Sequence, residues 1–192
     1  MRILITKWIV VCKGGSMNRI PYFLLMMIVL LYCIGFVSCS GNQVTPEWTP
    51  QTINAELVWK HITVVTRYKN YSYWPGHEGV QPGNSPHGKL HRVFINKVLR
   101  DALPLESRVA PPGSIIVKEN LSGDRELLNI TVMAKVEGFD KEHGDWYWAM
   151  YQPDGKAVAS GNIPMCVSCH AASYNDYIII KRLDEPLPGS SK

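Results

Sequence analysis

"ELLNITVMAKVEGF", residues 126–139, decides the fold class. Leu128, Ile130, Val132 and Ala134 alternate with Asn129, Thr131, Met133 and Lys135, the period of two of a β-strand. The next segment, "DWYWAMYQPDGKAVASG" (145–161), reads as a hairpin turning at "PDGK". Its first arm sets Trp146, Trp148 and Met150 on one face and Tyr147, Ala149 and Tyr151 on the other. Upstream, "PPGSIIVKENL" (111–121) is a turn and a strand, with Ser114, Ile116 and Lys118 on one side and Ile115 and Val117 on the other. "LHRVFINKVLRDAL" (90–103) divides into a strand, Leu90–Ile95, and a short helix with Asn96 as N-cap, because Val93, Phe94 and Ile95 favour strand. On that strand Leu90, Arg92 and Phe94 share a face, and Arg92 there needs a partner or points into a pocket. "DYIIIKRL" (176–183) reads as a last strand.

Helical content is smaller. "TPQTINAELVWKHITVVTRY" (49–68) places Leu57, Val58, His61, Ile62 and Val65 at helical spacing, with Thr49 as cap and Pro50 at the first position. "YSYWPGHEGVQPGNSPHG" (71–88) is Gly- and Pro-rich and reads as a loop, its His77 and His87 as loop histidines. Serial strands joined by tight turns predict an α+β, mainly β domain: an antiparallel sheet with a few flanking helices.

The chain of 192 residues opens with a leader. Arg19 precedes an apolar run, Tyr22 to Val37, which ends in small residues, the layout of a secretory signal. Sixteen apolar residues are short for a spanning helix, which takes ~20. Residues 1–38 are read as the signal, with Met17 as the more usual start. Residues 39–52 are then a linker, 53–183 the domain and 184–192 a flexible tail. "FVSCSG" offers two readings of Cys39: a lipidated N-terminus resembling a bacterial lipoprotein box, or an ordinary residue near a peptidase site. The expected location is exported and periplasmic, with membrane anchoring in the lipidated case. The leader carries four basic residues and no acids, leaving sixteen basic against sixteen acidic residues from Cys39 onward. A nucleic-acid partner therefore has no electrostatic basis.

Of five cysteines, Cys12 and Cys33 leave with the leader, so only Cys166 and Cys169 remain inside the domain. They stand with His170 in "GNIPMCVSCHAASYNDY" (161–177), in the order C-x-x-C-H. In an exported protein this reads as covalent haem attachment: two thiols for the two vinyl groups, and the next imidazole for the iron. A redox C-x-x-C belongs beside a βαβ unit, which the pattern lacks. A structural zinc needs a second ligand pair, which the sequence lacks. No Met or His follows His170, and Met165 is too close to reach the opposite haem face. Met133 and Met150 remain as distal ligands, but an iron open on its distal side is the better reading, with small-molecule binding or chemistry as its use.

The series "PHG…HRVFIN", "PPGSIIVKEN", "TVMAKVEGFD", "GDWYWAMYQPDGK" and "MCVSCHAASYNDY" resembles the cytochrome P-460 family, which includes the cytochromes c′-β, over Glu56 to Arg182. The resemblance implies a mainly antiparallel β domain with a few helices, often a homodimer. It implies haem c on Cys166 and Cys169, with His170 as proximal ligand. It implies that Lys118 forms an extra bond to the haem edge in the P-460 branch, and that Arg92 lies on the distal side. That branch oxidises hydroxylamine, passing electrons to a redox partner. The c′-β branch lacks the cross-link and binds nitric oxide or carbon monoxide under apolar aromatics, for which Phe94, Trp146 and Trp148 are candidates. Some P-460 proteins place a carboxylate just upstream of the haem motif, whereas "AVASGNIPM" (157–165) has none. Three functions follow: a hydroxylamine-oxidising enzyme, a nitric oxide binder, or an electron-transfer cytochrome with a second ligand such as Met133.

Overall fold

The alternation in residues 126–139 becomes the centre of one antiparallel sheet. The computed structural model describes Pro46 and residues 48–84, 86–180, 183–184 and 186. The expected signal, Cys39 and most of the tail lie outside the described residues. The strands are β1 Ser72–Tyr73, β2 Gln81–Pro82, β3 Leu90–Ile95, β4 Ile115–Leu121, β5 Leu127–Lys135, β6 Trp146–Tyr151 and β7 Ala157–Gly161. They pair in the order β1-β3-β4-β5-β6-β7, and β2 also pairs with β3. The predicted loop of residues 71–88 therefore contributes two short strands, β1 against Phe94 and Ile95, β2 against Leu90 and His91.

Both faces of the sheet are covered, each by the residue set that the alternation predicts. Phe94, Val117, Val132, Tyr147 and Tyr151 join Val58 and Ile62 in one apolar cluster. Val93, Ile116, Met133, Trp146 and Trp148 join Leu99, Val167 and Ile178 in the other. Helix α1, Ala55–Lys60, covers the first face; α2, Lys97–Ala102, and α3, Pro164–His170, contribute Leu99 and Val167 to the second. Asn96 caps α2 as expected: its Oδ1 accepts from Leu99 N at 3.2 Å and from Ile115 N at 3.0 Å.

Two expectations are corrected. The N-terminal helix begins five residues later than the Thr49 cap implies, because extended Asn54 accepts from Leu57 N at 3.0 Å. It then widens into a π-helical turn, His61–Val65, closed by Thr66 N on His61 O at 2.9 Å. Val58 and Ile62 stay buried, and Val65 is left exposed.

"DYIIIKRL" forms no strand in its described part. Asp176 and Tyr177 have φ of 53° and 64°, outside the strand region. Asn175 binds the segment into a loop, donating to Ile178 O at 3.0 Å and accepting from Leu183 N at 2.8 Å. Among the described residues no helix is long and apolar enough to cross a membrane.

Candidate haem site

Helix α3 begins with Pro at its first position and carries the whole C-x-x-C-H motif. Cys166, Cys169 and His170 stand at i, i+3 and i+4, so they share one side of the helix. Both thiols are free, Cys166 half-buried and Cys169 exposed. Burial, then neighbouring Cys169, pushes the Cys166 thiol up from its ordinary pKa.

Cys169 and His170 open onto a cavity of about 410 Å³. Val93, Ile116, Lys118, Thr131 and Met133 form its sheet wall, and Ile178, Ile179 and Ile180 also line it. The loop carrying β2 closes it with His77, His87 and neighbouring residues. Gly88 lets that loop pass over β4: its φ is +80°, and a Cβ there would lie 2.5 Å from Leu121 O.

His170 is held from behind. Its Nδ1 lies 2.7 Å from Tyr177 O, and a carbonyl only accepts, so Nδ1 carries the hydrogen. Nε2 then keeps its lone pair, the tautomer a metal ligand requires. Burial holds the imidazole below its ordinary pKa, and the Lys118 charge adds to this against the Tyr177 hydrogen bond. The Trp148 ring meets it edge-on at 4.8 Å between centroids, and His87 at 6.2 Å.

Lys118 is the one half-buried residue in an otherwise buried strand, and its side chain reaches the cavity. Desolvation lowers its pKa to about 8. No carboxylate lines the cavity among the described residues.

Haem fits this donor set. The walls are largely apolar, two thiols and an imidazole with a free Nε2 lie along one helix, and a half-buried cation faces the same space. In the cavity lining the buried His91 Nδ1 has no hydrogen-bond partner among the described residues, nor has Nε1 of Trp148, whose ring meets His170; Arg92 Nε, Glu119 Oε2 and Asn120 Oδ1, away from the cavity, also lack one. The orphan in the cavity lining is where a further polar group would belong.

Arg92 is not brought to this site. It shares a face with Phe94 as the alternation predicts, but that is the face under α1. Its Nε lies 2.6 Å from Oε2 of fully buried Glu119, its cross-strand partner, at an angle that makes an ion pair without an aligned hydrogen bond. Tyr68 Oη donates to the same carboxylate at 2.8 Å, and Lys69 also pairs with it. Phe94 likewise packs on Tyr68 and Tyr73, away from the cavity. Arg92→Leu is therefore expected to lower stability by about 1–3 kcal/mol, because it leaves the fully buried Glu119 carboxylate with only Lys69 and Tyr68 as partners, and to leave ligand affinity at the haem unchanged. Urea unfolding beside a ligand titration checks both; a tenfold loss of affinity would return Arg92 to the site.

The composition of the 71–88 loop hides His87, which the cavity recruits as it does His91 from β3. Burial, then the Lys118 charge, depresses both to about 4. The unfolded chain protonates them near 6.5. Their contribution to stability is complete above that pH and is lost as pH falls toward 4. Urea midpoints should drop over this window, and less so in His87→Gln/His91→Gln; equal slopes would refute the assignment.

Met133 lines the cavity, Met150 does not, and Met165 is 70% exposed. A search of curated proteins finds no match. The sequence matches the family model for Cytochrome P460 over residues 59–180, more than half of the chain and every cavity residue named above. The chain belongs to the cytochrome P460 family.

Proposed function

We propose that this chain is an exported c-type haem protein that binds or oxidises small nitrogen compounds, hydroxylamine and nitric oxide among them. The observation that carries the reading is the opening of Cys169, His170 and Lys118 onto one largely apolar cavity. Cys166 and Cys169 would each add S–H across a vinyl group, the sulfur and the hydrogen going to the two vinyl carbons with no net oxidation. His170 would give its Nε2 lone pair to the iron, and Tyr177 O fixes the ring for that task. When bound, haem supplies a redox-active iron with a coordination position for the ligand. Lys118, charged at neutral pH, donates hydrogen bonds into the cavity. His87 and His91, held neutral, offer imidazole lone pairs as hydrogen-bond acceptors in the cavity, where some P-460 proteins are expected to place a carboxylate. The apolar walls from β3, β4 and β5 limit water entry. The same reading takes a homodimer as the assembly and a redox partner protein as electron acceptor, with Cys39 either the point of lipid anchoring or an ordinary residue near the peptidase site.

Lys118 divides the enzyme from the binder. A bond from its Nζ to a haem-edge carbon replaces one N–H and one C–H, so two protons and two electrons pass to an oxidant of the peroxide class. With pKa about 8, a fraction of Lys118 is the nucleophilic free amine at neutral pH. Proteolysis of the denatured holoprotein is expected to give a haem peptide joined to a second peptide containing Lys118. Hydroxylamine turnover is then the assay. A haem peptide with only its two thioethers would remove the cross-linked enzyme and leave nitric oxide binding as the function. Electron transfer with Met133 as second ligand draws on its place in the cavity wall; a high-spin ferric spectrum excludes it.

A further inference from the structure

We propose that the buried Lys135–Asp176 ion pair is a clamp that positions the His170 imidazole and tunes it as an iron ligand. The inference rests on the reading of His170 as that ligand.

Lys135 and Asp176 are only 7% and 6% exposed, and Lys135 Nζ lies 2.7 Å from both carboxylate oxygens. Removing two charges from water is costly, so such a pair is weak evidence for stability and invites a search for what it specifies. Here it specifies a turn. Asp176 and Tyr177 are consecutive non-glycine residues in the left-handed region. Such backbone persists only where its surroundings over-determine it.

Four contacts do so. Lys135, at the end of β5, holds the carboxylate. Asp176 Oδ2 also accepts from Ala110 N at 2.8 Å. Trp146 Nε1 donates to Asp176 O at 2.9 Å, while Lys135 Nζ sits 4.9 Å from the Trp146 ring. Gly144 packs so closely that a Cβ would lie 2.9 Å from Asp176 Oδ1.

The product of this turn is the direction of one carbonyl. Tyr177 O reaches His170 Nδ1 at 2.7 Å. A hydrogen bond at Nδ1 raises the basicity of Nε2, and changes in such outer partners typically cost 10–100-fold in metal affinity or activity. Lys135 and Asp176 are thus positioning residues: they act on the iron through the Tyr177 carbonyl.

The test uses the full-length, haem-loaded protein carrying Lys135→Met with Asp176→Asn, which removes both charges together. A looser Nδ1 hydrogen bond makes His170 a weaker donor and favours ferrous iron. The expected result is retention of both thioethers, a shift of the ferric/ferrous equilibrium of about tenfold, or ~59 mV upward, and a lower iron–histidine stretching frequency by resonance Raman. Lys135→Arg, which keeps the pair, should stay near the parent in both readouts. Parent-like potential and frequency in the double variant would overturn the clamp. If that variant yields no folded holoprotein, Asp176→Glu is measured instead: the same shift supports the clamp, and parent values overturn it. A parent protein without covalent haem overturns the reading beneath it, and is seen before any variant is made.

Discussion

Replacing Cys166 and Cys169 together by alanine is expected to leave a protein with no covalent haem. Both positions lie on one side of α3, and no other cysteine occurs among the described residues. Each single variant should keep one thioether, so haem staining of denatured protein falls to background only in the double variant. Stability should fall too, because the covalent haem packs against the apolar cavity only in the folded state. Persistent staining in the double variant would place the attachment elsewhere.

Trp146→Ala is the second large effect. Trp146 is fully buried on the sheet face that carries the site, in the cluster containing Val93, Ile116 and Met133. Its indole N–H donates to Asp176 O at 2.9 Å, so alanine both empties a large volume and leaves that carbonyl without its donor. Removing a buried Trp or Phe side chain costs about 3–5 kcal/mol, roughly a fifth or more of an ordinary domain's 5–15 kcal/mol. Urea unfolding should show a midpoint shift of that size, where Trp146→Phe, keeping most of the volume, shifts it less. A change below about 1 kcal/mol in the alanine variant would mean that this wall is not packed as described.

Much of the sheet was legible because alternation is a local property. Strand Leu90–Ile95, the Asn96 cap and the "PDGK" turn all follow from neighbours in sequence. Alternation also sorted Lys118 with Ile116, and Arg92 with Phe94. It could not say which face meets the site, because apolar clusters cover both faces. The alternation leaves Arg92 needing a partner or pointing into a pocket, and only the resemblance puts it on the distal side; its partner is Glu119, on the buried far face. The β-branched run at 178–180 favours strand, but the Asp176–Tyr177 turn and the Asn175 hydrogen bonds override that preference. Thr49 is of a good capping type but closes a turn instead, its carbonyl accepting from Thr52 N and Ile53 N, and Asn54 caps the helix. His87 carries no local signal; the Gly- and Pro-rich loop brings it to His170 through long-range closure over β4.

The central claim is that Cys166, Cys169 and His170 hold haem against the cavity that Lys118 lines. The most direct measurement is the mass of the proteolytic peptide spanning Cys166 to His170, taken from denatured protein purified after export. The account predicts that peptide carrying one haem through both thiols, with or without Lys118 attached. A peptide of unmodified mass, or one with Cys166 and Cys169 joined as a disulfide, would contradict it.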